Sequence, residues 1–151
     1  MKELNSDIIS FFRDQGFTII STLNNDGSLH SSCKGIIDIE RDGVVYLLDL
    51  YHGKTFKNLK DNKNITITAV DEHRYVGYAL SGIAQIIAKE DIDDKIYELW
   101  EKNVSKRASK RLIKNIKEDH KVKHHPEVKF PAPKYLIRVE IDKIVDLAPQ
   151  K

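Results

Sequence analysis

The residues best suited to chemistry lie in the run Gly53-Lys54-Thr55-Phe56-Lys57-Asn58-Leu59, where a lysine and a threonine directly follow a glycine at the start of a short amphipathic stretch. In a helix beginning there, the first-turn amides lack intrahelical partners at the positive end of the helix dipole, and Lys54 adds a cation. One phosphate group suits such a pocket. The same residues also suit a surface loop with a solvated lysine and a capping threonine, and local chemistry does not choose between the two. Gly53-Lys54-Thr55 matches the end of a nucleotide-binding P-loop, yet that motif needs a glycine five residues before Gly53, where Leu48 stands. The long helix and parallel sheet of that fold also lack counterparts, which argues against a nucleotide triphosphatase.

Other reactive side chains read more plainly. Cys33 has His30 three residues before it, but residues three apart on a strand face opposite sides, so the thiol reads as buried and inert. His120 and His124 would share a helix face, but Pro126 follows and no partner cluster is visible, so the segment reads as a polar loop without a metal. Lys106, Lys110, Lys114, Lys117 and Lys121 would form a basic stripe on a helix, with Arg107 and Arg111 beside it. Without aromatic residues for base stacking, that stripe reads as a solvated face able to attract anions, and nucleic acid is not expected. No residue stands out as an acid or base catalyst.

These residues need elements to position them. Asn5 and Ser6 can cap a helix over 6–15 that carries Ile8, Ile9, Phe11 and Phe12 and ends before Gly16. The period then changes to that of strands. Residues 17–23 lead to the turn Asn24-Asn25-Asp26-Gly27, a second strand fills 28–40, and Arg41-Asp42-Gly43 turns into the apolar run 44–50. A short helix over 55–61 places Phe56 and Leu59 toward this sheet. Strands follow at 65–70 and at 75–89, where Gly77 and Gly82 mark bends, and five strands of this kind favour a barrel. Two helices, one capped by Asp91 and one over 104–117, a loop over 119–133 and a last strand over 135–141 complete the expected order.

Bulk properties agree with one domain over residues 1–151. Hydrophobic residues make up 40% and charged residues 32%, as in globular proteins, and the formal charge of +2 exerts no global pull toward nucleic acid or anionic lipid. No apolar run approaches the ~20 residues that span a bilayer, the first residues are too polar for a signal peptide, and Cys33 is the sole cysteine. A soluble, cytoplasmic protein without disulfides is therefore expected.

The order of these motifs resembles the FMN-binding split barrel of the pyridoxamine 5'-phosphate oxidase-like family. The resemblance covers roughly residues 17–89 and rests on Thr22-Leu23, Asp26-Gly27, Leu29 to Cys33, Asp42-Gly43, Val44 to Leu50, Lys54 to Leu59 and Asn64 to Ile67. It implies a mainly β fold, a six-stranded antiparallel barrel with helices, paired as a homodimer with FMN in a groove between subunits. By position, Ser31, Ser32 and Cys33 would line the flavin, Leu48 and Asp49 would offer backbone contacts, Lys54 and Thr55 would take the phosphate, and Asn58 would orient that pocket. Two departures stand out. Where full oxidases carry basic residues on the second strand, this chain has Ser32 and Ile37, with Lys34 the only base nearby, and their Arg-x-His triplet is missing, the last strand reading Arg138-Val139-Glu140. The resemblance thus implies a flavin-dependent oxidoreductase of unknown substrate and not the namesake activity. Two other readings stay open: a flavin carrier without turnover, and a haem-binding barrel with His30, His52 or His73 as ligand.

Overall fold

The computed structural model describes residues 2–49, 52–103, 105–106 and 133–149. Helix α1 (Ser6–Asp14) opens the chain. Its N-cap is Asn5, whose side chain accepts a 2.9 Å hydrogen bond from the Ile8 amide, and Ile8, Phe11 and Phe12 form its buried stripe. Each of those side chains contributes roughly 1.5–3 kcal/mol by leaving water. Seven strands then form one antiparallel sheet: β1 (Thr18–Leu23), β2 (Leu29–Lys34), β3 (Ile36–Ile39), β4 (Val44–Asp49), β5 (Asn64–Asp71), β6 (Val76–Ala88) and β7 (Tyr135–Asp146).

Across the sheet the order is β2-β1-β5-β6-β7-β4-β3. β2 and β3 thus lie at opposite edges although Gly35 alone separates them in the chain. The sheet must curl until its edges meet at Gly35, which makes a split barrel. The single strand expected over 28–40 is the one point at which the strand count differs, since it breaks at Gly35 and six strands become seven.

Tight turns and two register shifts set the curl, one of them at Ile37 where β3 pairs with β4. Gly43 has a φ of +96°, a conformation open to glycine, and an added Cβ would strike the carbonyl oxygen of Lys2. Between Ser81 and Gly82 the pairing of β6 with β7 slips, from Ser81 opposite Lys143 to Gly82 opposite Ile141, so Asp142 is an extra residue. The Glu140 carbonyl occupies the space a Cβ at residue 82 would need, so the bend expected at Gly82 has a steric cause.

Inside the barrel, Ile20, Ile39, Val45, Leu47, Ile67, Leu80, Ile137 and Ile141 form the core with α1 beneath them. Outside, a helix over residues 94–103 (α3) lays Ile96 beside Ile92, Ile37, Leu48 and Leu136. It starts later than expected, after a short turn at Lys89–Asp91, because Asp93 and not Asp91 accepts from the amide two residues on, that of Lys95. Of the helix expected over 104–117, residues 105 and 106 are described and helical; the remainder, and the loop with His120, His124 and His125, lie outside the described residues. Among the described residues no helix is long and apolar enough to cross a membrane.

Candidate functional site

Helix α2 (Lys54–Asp61) follows β4 in the chain and packs against β1, β2 and β6. Its N-cap Gly53 is extended, no side chain caps it, and a Cβ built there meets nothing within 4 Å. The first-turn amides therefore have no side-chain cap at the positive end of the helix. Lys54 is exposed beside them, and Thr55 is buried, its hydroxyl sharing a 3.1 Å hydrogen bond with that of Ser32 on β2.

One turn along, the Asn58 amide nitrogen donates to Thr22 Oγ1 at 3.1 Å and to Asn24 Oδ1 at 2.9 Å. These bonds fasten α2 to β1 and to the turn that follows it. Both amide hydrogens are spent there. That turn also carries Asp26, which accepts from the Ser28 hydroxyl at 2.5 Å and from the Ser28 amide at 3.0 Å. The two bonds hold its carboxyl below the usual range, and the charge of Lys54 contributes in the same direction.

Strand alternation divides the three residues expected on β2. Ser32 faces α2, whereas Ser31 and Cys33 point to the outer face, where Ser31 bonds Ser21 at 3.1 Å. Cys33 is exposed, which corrects the expectation of a buried thiol. A free cysteine is commonly buried, but β2 is an edge strand whose odd-numbered positions look outward. His30 does face the other way from Cys33, as the spacing predicts.

On β4, Leu48 and Asp49 pair with Leu136 and Tyr135 of β7, while the register with β3 ends at Leu47. Their backbone on the β3 side therefore lies beyond the ladder, at the split. The Asp49 side chain is buried and meets Lys34 Nζ, the separation from its Oδ2 being 2.7 Å. The same oxygen accepts a short hydrogen bond from the buried Tyr135 hydroxyl. Burial first, and then the Asp49 bond and charge, push the Tyr135 hydroxyl well above its ordinary value, so it remains a protonated donor.

This cluster adjoins α2. The Phe56 ring lies 4.8 Å from the Tyr135 ring and 4.4 Å from that of His52, and His52 stacks on Tyr135 at 5.3 Å with 12° between planes. Lys60 sits 4.7 Å above Phe56. Sequence reasoning did not find Tyr135 as a member of the site, since 86 residues separate it from Asp49. The one available signal was a lone carboxylate near the end of the apolar run Val44 to Leu50. The three histidines weighed as haem ligands occupy three places: His30 on β2, His52 on the Tyr135 ring, and His73 in an exposed turn beside Glu72.

Comparison with known proteins now adds to this geometry. HupZ of Group A Streptococcus superposes with a TM-score of 0.66 at 19% identity, over 96% of this chain and 94% of that one. General stress protein 26 of Bacillus anthracis gives 0.57 at 18% identity, over 95% and 94%. An F420 reductase gives 0.53 at 14%, over 85% and 88%. At these identities the likeness is one of fold. A comparison with curated proteins finds no match. The sequence profile for pyridoxamine 5'-phosphate oxidase matches residues 4–144, nearly the whole chain, and the chain therefore belongs to the pyridoxamine 5'-phosphate oxidase family.

Proposed function

We propose that this protein binds FMN as a homodimeric split barrel and works as a flavin-dependent oxidoreductase. The carrying observation is the start of α2, where uncapped amides, the exposed Lys54 and the Thr55–Ser32 hydroxyl pair converge beside open space at Gly53. A phosphate monoester is close to dianionic at neutral pH and is recognised by this combination of amide donors and a cation. The residues present fit the group. Lys54, Thr55 and the first-turn amides would hold the phosphate, Asn58 would keep the helix in place, and the backbone of Leu48 and Asp49 would border the chain that follows.

Dimerisation is supported by the outer face of β1, β2, β5 and β6, which exposes Ile19, Leu29, Val70 and Ile83 together. A second copy laid on this face would cover them, and Ser31 and Cys33 would then reach a flavin only at the subunit boundary. When bound, FMN supplies the electron-transfer chemistry, and the protein supplies position and electrostatics. The fold is shared with a protein named as a reductase, so redox work is within its range. Arg138 is bound to Glu140 at 2.7 Å and no Arg-x-His triplet follows, so pyridoxamine phosphate is not the proposed substrate.

The test is spectroscopic. Purified protein should show flavin absorption or quench the fluorescence of added FMN, and haem bands in their place, or no binding, would refute the cofactor assignment. Repeated reduction by NADH or NADPH and reoxidation by an acceptor separates an oxidoreductase from a carrier, which would not turn over.

A further inference from the structure

A strand at the edge of a sheet offers its outward N–H and C=O groups to any other strand that meets it. β3 is such a strand, and among the described residues it pairs with β4 alone. Glu40 turns its amide to the Val44 carbonyl and its carbonyl to the Gly43 amide, so by alternation Ile39 presents both groups to the open side. The Ile37 carbonyl joins them, Ile37 being the extra residue where the register with β4 shifts. There is room beside that edge: a cavity of about 380 Å³ is lined by all four residues of β3, by Phe12 of α1 and by Leu99 of α3.

The room is open, yet the bonding groups of the strand are taken. Arg13 of α1 donates to the Ile39 carbonyl at 3.3 Å, and Asn103 of α3 donates to the Ile37 carbonyl at 3.2 Å. The Asp38 carboxylate accepts from the Ile39 amide at 3.0 Å and lies 4.0 Å from the Arg13 guanidinium. Water could satisfy these groups as well, since 62% of the Arg13 side chain is exposed. What side chains add is obstruction.

We infer that Arg13, Asp38 and Asn103 seal the β3 edge against pairing with a strand of a second copy of this chain. The strand they exclude is the same edge of another molecule, because two β3 edges laid antiparallel match each other by twofold symmetry. The brevity of β3 and its register shift act in the same direction, since short, kinked, charged edges pair poorly. The opposite edge strand, β2, is met by α2 through Ser32 and Thr55. The face proposed above for dimerisation belongs to β1, β2, β5 and β6, so pairing at β3 would join dimers into larger assemblies. The seal does not depend on a cofactor.

Arg13→Ala/Asp38→Ala/Asn103→Ala frees all three groups and leaves the net charge as it was. Sedimentation of the full-length protein, at concentrations where the wild type keeps one mass, should show the variant growing to twice that mass or more as concentration rises. Hydrogen exchange over Ile36–Ile39 should slow in the heavier species, because its amides are then paired between copies. Asn58→Ala also loses internal hydrogen bonds but keeps the seal, and should stay at the wild-type mass. Equal assembly of Asn58→Ala would trace the effect to lost stability and overturn the inference. A folded triple variant at the wild-type mass, or one that assembles without slowed exchange over β3, overturns it too. Arg13→Ala/Asp38→Ala removes only the charged members and should assemble at a higher concentration. If the triple variant does not fold, this pair decides by the same two readings.

Discussion

Asn58→Ala isolates what fastens the pocket from what fills it. The carboxamide is buried, and its nitrogen donates to Thr22 Oγ1 and Asn24 Oδ1. Each bond is worth about 0.5–1.5 kcal/mol net, so losing both costs about 2 kcal/mol. For a domain of this size that corresponds to a drop in Tm of about 4–8 °C. The assay is thermal and urea unfolding of protein freed of flavin, so that ligand binding adds nothing to the stability measured. Thr22→Val removes one partner and should cost about 1 kcal/mol, and the double variant should lose less than the sum, because the two residues share one bond. FMN binding should weaken in Asn58→Ala only as far as the helix start is loosened. An unchanged Tm together with a large loss of FMN affinity would refute the reasoning and make Asn58 a direct ligand.

Three further outcomes follow from the same structure. The folded state raises the Tyr135 hydroxyl above its unfolded value near 10, so the folded chain holds that proton more tightly. The stabilisation is complete below about pH 10 and is lost as pH rises beyond it, so alkaline unfolding should be steep in the wild type and shallower in Tyr135→Phe. Gly82→Ala would drive a methyl into the Glu140 carbonyl and should destabilise by about 3 kcal/mol or more, read as a lower urea midpoint. Burial first, then Asp42 and Asp38, raise the Glu40 carboxyl, so its charge works against the fold at neutral pH. Glu40→Gln should therefore raise Tm at pH 7, with the difference vanishing below about pH 4.

Much of the fold was legible because local rules agree along the chain. The Asn5 cap, the Asn24 to Gly27 and Arg41 to Gly43 turns, and the alternation in β5 all mark elements from within a few residues. What local rules miss is the division at Gly35. Residues 28–40 carry continuous strand character, and only the closing of the sheet sends β2 and β3 to opposite edges. Cys33 was misplaced for the same reason, since alternation tells which residues share a face but not which face is covered. The part of the site proposed to take a phosphate was readable, as Lys54, Thr55 and Asn58 lie in one short helix with Gly53 at its N-cap. Its buried part was not. Lys34, Asp49 and Tyr135 come from three strands, and their contact exists only once β7 has paired with β4.

The central claim is that a phosphate sits on the start of α2, and titrating FMN and riboflavin into wild type and Lys54→Ala tests it most directly. Lys54 is exposed and takes no part in the core, so the variant should fold and melt as the wild type does. FMN affinity should fall about tenfold, the worth of one charged hydrogen bond, while riboflavin affinity stays the same. Equal loss for both flavins, or no loss for either, would contradict the assignment of Lys54 to the phosphate.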